Sequence, residues 1–298
     1  MRVAVVGLGG VGGYIAAAFA KAGIDVTGFG RGEHLAVIQK EGITIVEDEE
    51  QWSVPLKVKE LREAEGIYDV VLFCVKSYDL QESCEALREH TNEKSILLSF
   101  SNGVDNGDIL RSCSRSRVLD AAVYILSHIE RPGFIRKKGK VFAAVFGGED
   151  AKAVEEVATL FEKAGLRYKT PENIKEALWK KYIFIAAFAS LTSYYEKSIF
   201  SVYTEHRDEA EALLREIAAV AKHYGVNVDD EIKKALHTAS TLPENASTSM
   251  HLDFQNGKKV ELESLSGFIA NTAAVDTPLM DKIYRALKSR AASLQENS

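Results

Sequence analysis

Hydrophobic residues occur in short β-branched runs, separated by longer stretches of helical periodicity, from residue 2 to about residue 170. This alternation is typical of βαβ units around a parallel sheet. The run from Asp69 to Val75 shows no alternation of polar and apolar residues, as expected for a central strand covered on both faces. The predicted strands are Val3–Val6, Asp25–Phe29, Val70–Val75, Ile96–Ser99, Val118–Ala121 and Val141–Phe146, and the predicted helices are Gly10–Ala22 and Ala151–Ala164.

Two basic segments flank short apolar runs after Glu130. Arg131-Pro132-Gly133 and Lys137-Lys138-Gly139-Lys140 are spaced as in an antiparallel hairpin appended to the sheet. We expect the charged side chains of both segments to lie in solvated turns.

The pattern changes at Thr170-Pro171-Glu172, where threonine and proline suit the cap and the first residue of a helix. Beyond this point the strand signals vanish. The sequence therefore predicts a Rossmann-type, doubly wound, mostly parallel α/β domain over residues 1–170 and an all-α domain over residues 171–298. The predicted helices of the second domain are Asn173–Tyr195, Glu205–Tyr224, Asp229–Thr238, Lys259–Ala274 and Thr277–Ser293.

Composition excludes several classes of protein. A chain of 298 residues that is 46% hydrophobic and 27% charged has the ordinary globular mixture. The net charge of −6 lacks the basic excess that nucleic-acid binding needs, so we expect no nucleic-acid partner. The longest strongly apolar stretch, Tyr182–Tyr195, is shorter than the roughly 18 residues that span a bilayer, so we expect no membrane partner either.

Cysteine and histidine spacing gives no metal or disulfide signal. Cys74, Cys84 and Cys113 are odd in number and form no CxxC pair, which fits neither a disulfide framework nor a zinc ribbon. The histidines form no HExxH motif, so no metal site is expected. The first residues run into a glycine turn without the regions of a signal peptide. We therefore expect reduced cysteines and a cytoplasmic protein.

A glycine-rich GxGxxG motif lies directly between the first predicted strand and the first predicted helix, a context that favours dinucleotide binding over the alternative, a glycine-rich turn without a ligand. The first glycine permits the tight turn, the second allows the backbone to approach a pyrophosphate, and the third allows close packing of helix on strand. The predicted cofactor-binding residues are Gly7, Leu8, Gly9, Gly10, Val11 and Gly12.

Arg31 follows the second predicted strand, where NAD-binding proteins carry an acid for the ribose hydroxyls. Asp25 lies too early and Glu33 lies past the turn. An arginine at this tip suits a 2′-phosphate, so NADP(H) is favoured over NAD(H), with an ordinary solvated loop arginine as the alternative.

Polar residues also follow two neighbouring predicted strands, as Lys76 and Asn102, where they can reach a cofactor or a substrate oxygen. Taken alone, each is equally well explained as a turn residue, since Asn-Gly is also a common turn dipeptide, but their recurrence on neighbouring strands favours a site. In the helical domain, Lys181, Ile185 and Ala189 share one face of the most apolar helix. A lysine at the start of an apolar helix face either extends its ammonium group to solvent (snorkelling) or is a desolvated acid whose pKa is lowered toward neutrality. Spacing alone favours snorkelling.

Together these features resemble the ketopantoate reductase (2-dehydropantoate 2-reductase) family over nearly the whole chain. The matching elements are the glycine motif, Arg31, Val75-Lys76, Ser101-Asn102-Gly103, Leu178-Trp179-Lys180-Lys181, Ser249-Met250, and Glu261 before Ser266-Gly267. The resemblance implies a Rossmann domain, a helical domain and NADPH-dependent reduction of a 2-oxo acid. If that acid is ketopantoate, the reaction serves pantothenate and coenzyme A synthesis.

The resemblance also implies roles for single residues. Lys181 matches the general acid, Glu261 the residue that binds the substrate hydroxyl, and Ser249 a substrate contact. Lys76 and Asn102 match residues that position cofactor and substrate. An ammonium group suits this chemistry, because hydride arriving at a ketone leaves an alkoxide that the group can stabilise and protonate.

The chain departs from the family pattern beside the lysine. Members carry asparagines one and two turns later, where this chain has Ile185 and Ala189, and the usual Asn-Pro is Ala189-Ser190. We expect Ile185 and Ala189 to contact the substrate and to change which oxo acid is preferred. A reductase of a more apolar oxo acid and a non-catalytic NADPH-binding sensor therefore stay open, as does the choice between monomer and homodimer.

Overall fold

The computed structural model describes residues 1–48 and 50–296. The chain divides into two compact units. The first contains Met1–Ser101 and Asp105–Ile174, and the second contains Asn102–Val104 and the chain from Lys175 onward. The expected boundary after residue 170 lies four residues before this division, which follows Ile174.

Among the described residues, one ten-stranded sheet forms the centre of the first unit. Its strands are β1 (Arg2–Val6), β2 (Asp25–Phe29), β3 (Ile43–Glu47), β4 (Glu50–Val54), β5 (Lys57–Lys59), β6 (Val70–Phe73), β7 (Ile96–Ser99), β8 (Arg117–Arg131), β9 (Phe134–Gly147) and β10 (Tyr168–Lys169). They lie in the order β4-β3-β9-β8-β7-β6-β1-β2-β5, with β10 beside β9. The helices are α1 (Gly10–Lys21), α2 (Gly32–Glu41), α3 (Leu80–Ala86), α4 (Asn106–Cys113) and α5 (Ala151–Lys163).

Strand β1 shows why the sheet is covered on both faces. Val3 and Val5 join the hydrophobic core that includes Phe19 of α1 and Phe161 of α5. Ala4, between them, joins the opposite core with residues of α3 and α4. Because successive strand residues point to opposite faces, helices pack on each side. The predicted doubly wound, mostly parallel sheet is confirmed, with β8–β9 and β3–β4 as antiparallel pairs.

The predicted hairpin is confirmed, but its charges are not all solvated. Strands β8 and β9 meet at a turn in which Gly133 has a φ of 79°. Lys137 is only 5% exposed, and its Nζ lies 3.0 Å from Oε1 of Glu47. The expectation was wrong for Lys137 because β9 pairs in parallel with β3, which sets Glu47 directly beside it.

The expectation of reduced cysteines is also wrong. Cys84 of α3 and Cys113 of α4 form a disulfide across a Cα–Cα distance of 6.3 Å. They are 29 residues apart, and only the packing of the two helices brings them together, so their spacing gave no signal. The cytoplasmic location stays a prediction without support from the cysteines.

The second unit is helical. Its elements are α6 (Ile174–Tyr195), α7 (Ile199–Glu205), α8 (Arg207–His223), α9 (Asp229–Thr241), α10 (Ser249–Gln255), α11 (Phe268–Ala270) and α12 (Pro278–Glu296), with a π-helical turn at Glu263–Gly267. The predicted helix over 259–274 is wrong at both ends, because the helical backbone begins only at Leu262 and ends at Ala270, with the π-helical turn between them. Within residues 1–48 and 50–296, no helix combines the length and hydropathy needed to cross a bilayer.

Candidate active site

The glycine loop joins β1 to α1 through contacts that exclude larger side chains. Gly7 has a φ of 91°, a left-handed conformation that favours glycine. A Cβ on Gly12 would lie 1.9 Å from the carbonyl oxygen of Gly7 and 2.8 Å from the Cβ of Cys74. Helix α1 therefore lies directly against the ends of β1 and β6, as the motif predicts.

Gly9 differs from its neighbours, because a Cβ there would meet no atom within 4 Å. The open space lies at the N-cap of α1, where the first backbone N–H groups of a helix have no intrahelical acceptor. These groups and the helix dipole favour an anion. The residues present therefore fit a dinucleotide pyrophosphate, with space at Gly9 and close packing at Gly7 and Gly12.

His34 supports this loop, a role that the sequence analysis did not predict. Its Nδ1 accepts a hydrogen bond from the Gly133 N–H at 3.1 Å, which leaves Nε2 to donate to the Leu8 carbonyl at 2.9 Å. Burial lowers the pKa of His34, while the bond to Leu8 acts in the opposite direction. The neutral imidazole thus ties α2 to the glycine loop and to the turn of the β8–β9 hairpin.

Arg31 lies at the predicted place, between β2 and α2. Its side chain is 87% exposed, and its guanidinium lies 3.6 Å from a carboxylate oxygen of Asp79. An exposed pair of this kind contributes about 0 to 1 kcal/mol, so a phosphate can compete for the arginine. Arg31 is therefore available to a ligand at the end of β2.

The loops after β6 and β7 leave neighbouring parallel strands at the same edge of the sheet. Lys76 is partly exposed, three residues after Phe73. Ser101 donates a hydrogen bond from Oγ to the Val75 carbonyl at 2.7 Å, which ties the two loops together. The next residue, Asn102, is the first of the short segment that groups with the helical unit.

Lys181, in the second turn of α6, has a pKa well below that of an ordinary lysine. Burial lowers its pKa to about 8, although the charge of Glu261 acts to raise it. Its Nζ lies 3.4 Å from Oδ1 of Asn102, a long hydrogen bond. The structure therefore brings Lys181, Asn102 and Glu261 together in one unit, and desolvation outweighs the stabilising carboxylate.

Glu261 is buried within this unit. It is 4% exposed and immediately precedes the helical turn that contains Glu263–Gly267. Its backbone carbonyl accepts a hydrogen bond from Ser264 Oγ at 3.2 Å. A carboxylate at so buried a position carries a desolvation cost, which a nearby ammonium group offsets.

The three remaining predicted residues lie at different depths. Ser249 is exposed at the start of α10. Thr248 caps this helix, and its hydroxyl lies 2.7 Å from the hydroxyl of Thr192. Ile185 is partly exposed, one turn after Lys181. Ala189 is only 1% exposed and belongs to the core of the helical unit. A substrate contact therefore stays a prediction for all three, with the least exposed surface at Ala189.

Both units of the chain match models of the same protein family. The family model described as ketopantoate reductase PanE/ApbA matches residues 3–148, and the model of its C-terminal part matches residues 173–291.

Individual proteins show the same full-length likeness. The chain is 27% identical to an uncharacterised oxidoreductase, YkpB, of Bacillus subtilis, over 97% of this chain and 98% of that protein. A PanE/ApbA family ketopantoate reductase from Ralstonia eutropha superposes with a TM-score of 0.91 at 27% identity, over 99% of this chain and 100% of the other. D-mandelate dehydrogenase, solved with NADH and anilino(oxo)acetate, has a TM-score of 0.89 at 17% identity, with the same coverage, which shows a shared fold.

We predict that Lys181→Met changes how the stability of the protein depends on pH. The folded wild-type protein loses the Lys181 proton above about pH 8 while the unfolded chain keeps it, so the wild type alone gains stability over this range. The midpoint of thermal unfolding of the wild type, measured against that of Lys181→Met, should therefore rise between pH 7 and about pH 10.

Lys180→Met is the matched control, since Lys180 is 44% exposed on the same helix and pairs with Glu176 at 2.6 Å. It should leave the midpoint nearly unchanged or lower it slightly. A difference in midpoint between the wild type and Lys181→Met that stays constant from pH 7 to about pH 10 would show that the Lys181 ammonium is not held at a cost.

Proposed function

This chain belongs to the ketopantoate reductase family, and from that premise we propose that it reduces a 2-oxo acid to a 2-hydroxy acid with NADPH. The observation that carries the proposal is the desolvated ammonium of Lys181, placed with Asn102 and Glu261. An acid with a pKa near 8 is matched to proton transfer at neutral pH. An ordinary solvated lysine, with a pKa near 10.4, is a weaker acid and donates its proton less readily.

The bound cofactor supplies the hydride that reaches the carbonyl carbon of the substrate. Lys181 donates a hydrogen bond from Nζ to the carbonyl oxygen, stabilises the negative charge that develops there and transfers its proton to it. One hydride and one proton together convert the ketone to the alcohol. Asn102 Oδ1 accepts from the lysine and orients Nζ, and the neutral amine regains its proton from solvent.

The first unit supplies the cofactor-binding residues of this proposal. The backbone N–H groups at the start of α1, with the space beside Gly9, would hold the pyrophosphate. Arg31 would pair with the 2′-phosphate of NADP(H), which replaces its exposed pair with Asp79. Lys76, at the end of β6, would contact the cofactor or the substrate carboxylate.

The helical unit supplies the substrate-binding residues. Glu261 would accept a hydrogen bond from a hydroxyl of the substrate. Ser249, at the exposed start of α10, would donate a hydrogen bond to the substrate. 2-Dehydropantoate carries such a hydroxyl and is the leading candidate, which would place the reaction in pantothenate synthesis.

Ile185 favours a second candidate, a reductase of a more apolar 2-oxo acid. This side chain is partly exposed one turn from Lys181, where an amide in other family members could hydrogen-bond to a substrate. A methyl-bearing surface favours apolar substrate groups over polar ones. The fold shared with D-mandelate dehydrogenase, whose solved ligand bears an aromatic ring, supports this alternative.

A screen of 2-oxo acids with NADPH tests the proposed function. We expect NADPH oxidation with 2-dehydropantoate or with a more apolar 2-oxo acid, and a 10²- to 10⁴-fold lower kcat in Lys181→Ala, roughly the contribution of a positioned general acid. Lys180→Ala is the control and should retain wild-type kcat. Near wild-type turnover by Lys181→Ala would refute the assigned acid, and tight NADPH binding without turnover on any acid would favour a sensor.

Coenzyme preference follows from Arg31. We predict a lower KM for NADPH than for NADH, and a rise of about tenfold or more in the NADPH value in Arg31→Ala, the scale of one lost charge-assisted contact. The KM for NADH should barely change. Arg215→Ala, which removes an exposed arginine of α8, controls for net charge. A wild-type preference for NADH would contradict the prediction.

A further inference from the structure

The turn that follows Glu261 has an unusual backbone. Residues Glu263–Gly267 are π-helical, and the N–H of Phe268 bonds to the carbonyl of Glu263, five residues earlier. Such turns are rare because their geometry is less favourable than that of an α-helix, and they persist where neighbouring groups hold them. The neighbours of this turn therefore determine where Glu261, two residues before it, is placed.

Tyr182 is one of these neighbours. Its ring is 3% exposed, and its hydroxyl lies 2.8 Å from the carbonyl oxygen of Leu265 and 2.9 Å from that of Ser264. The hydroxyl thus donates a shared hydrogen bond to two consecutive carbonyls of the π-helical turn. Tyr182 directly follows Lys181 on α6, so one helix carries the ammonium group and the donor that holds this turn.

Ser190 makes a second contact between α6 and the same turn. Its Oγ lies 2.7 Å from Oγ of Ser266, and both serines are fully buried. Tyr182, Ala186 and Ser190 are spaced four residues apart and share one face of α6. This face lies beside the face of Lys181 and Ile185, so the helix uses adjacent stripes for the turn and for the ammonium group.

The turn is held from α12 as well. Tyr284 donates from its hydroxyl to the carboxylate of Glu263, at 2.7 Å and 2.9 Å from the two oxygens. The Nζ of Lys288 lies 3.3 Å from the same carboxylate. Glu263 and Lys288 are both more than half exposed, so these contacts are weaker than those of the buried Tyr182 hydroxyl.

We propose that Tyr182 is a positioning residue, whose hydroxyl fixes the π-helical turn and thereby places Glu261 against the substrate hydroxyl. This inference rests on the proposed function for its catalytic consequence and on the hydrogen bonds to Leu265 and Ser264 for its structural part. Lys181 keeps its own place, because α6 holds it directly.

Tyr182→Phe isolates the hydroxyl from the packing of the ring. The ring contacts Trp179 and Phe268 edge-on, and phenylalanine preserves both contacts. Tyr195→Phe is the matched control, since it removes another tyrosine hydroxyl of α6, one that donates to Glu209 of α8 rather than to the turn.

Steady-state kinetics tests the catalytic consequence. In Tyr182→Phe we expect the KM for the oxo acid to rise about fivefold to tenfold, because Glu261 loses its place, with kcat changed less than about twofold and the KM for NADPH unchanged. Tyr195→Phe should leave all three parameters unchanged. An unchanged KM for the oxo acid in an active Tyr182→Phe enzyme overturns the positioning role.

Hydrogen exchange tests the structural part without any need for activity. Amide exchange of a peptide that covers residues 260–268 should be faster in Tyr182→Phe than in the wild type and unchanged in Tyr195→Phe. If exchange of this peptide does not rise, the inference fails even where a 2-oxo acid is reduced. If it rises while the wild type reduces no oxo acid, Tyr182 holds the turn and the proposed function is the part that fails.

Discussion

The proposed chemistry of the helical unit depends on one constraint, the desolvation of the Lys181 ammonium group. Lys181 belongs to a helix whose other middle residues are almost all apolar, and burial lowers its pKa to about 8. A charge in such surroundings persists only with partners, and this one has the side-chain oxygen Oδ1 of Asn102 and the charge of Glu261. The same cost makes the group a useful acid, because a proton held less tightly is transferred more readily.

The first unit depends on a different constraint, the close approach of backbone to backbone. Helix α1 lies against β1 because Gly12 has no side chain, and Gly9 leaves space where an anion can reach the helix N-terminus. His34 then fixes the loop through the Leu8 carbonyl. Glycines that allow contact and a histidine that holds the loop together shape the candidate cofactor site, with Arg31 exposed at the end of β2.

Local patterns in the sequence predicted the central strands, the glycine loop and the long helix of Lys181. They failed where tertiary contacts decide the structure. Strand β4, with the sequence Glu-Gln-Trp-Ser-Val, is too polar to show a strand pattern and forms only because β3 pairs with it. The Cys84–Cys113 disulfide and the Lys137–Glu47 pair depend on neighbours that are distant in sequence. For the site, spacing alone favoured a snorkelling Lys181, because the position of a lysine on a helix does not show what covers its side chain in the fold. Spacing also gave no signal for Tyr182.

The pH dependence of kcat, measured with NADPH and the oxo acid both saturating, tests most directly whether the desolvated Lys181 is the proton donor. Only the protonated amine can donate, so kcat for reduction should fall as pH rises through about 8, the pKa to which burial lowers this group. A kcat that stays constant up to about pH 10, near the value of an ordinary lysine, would contradict the account.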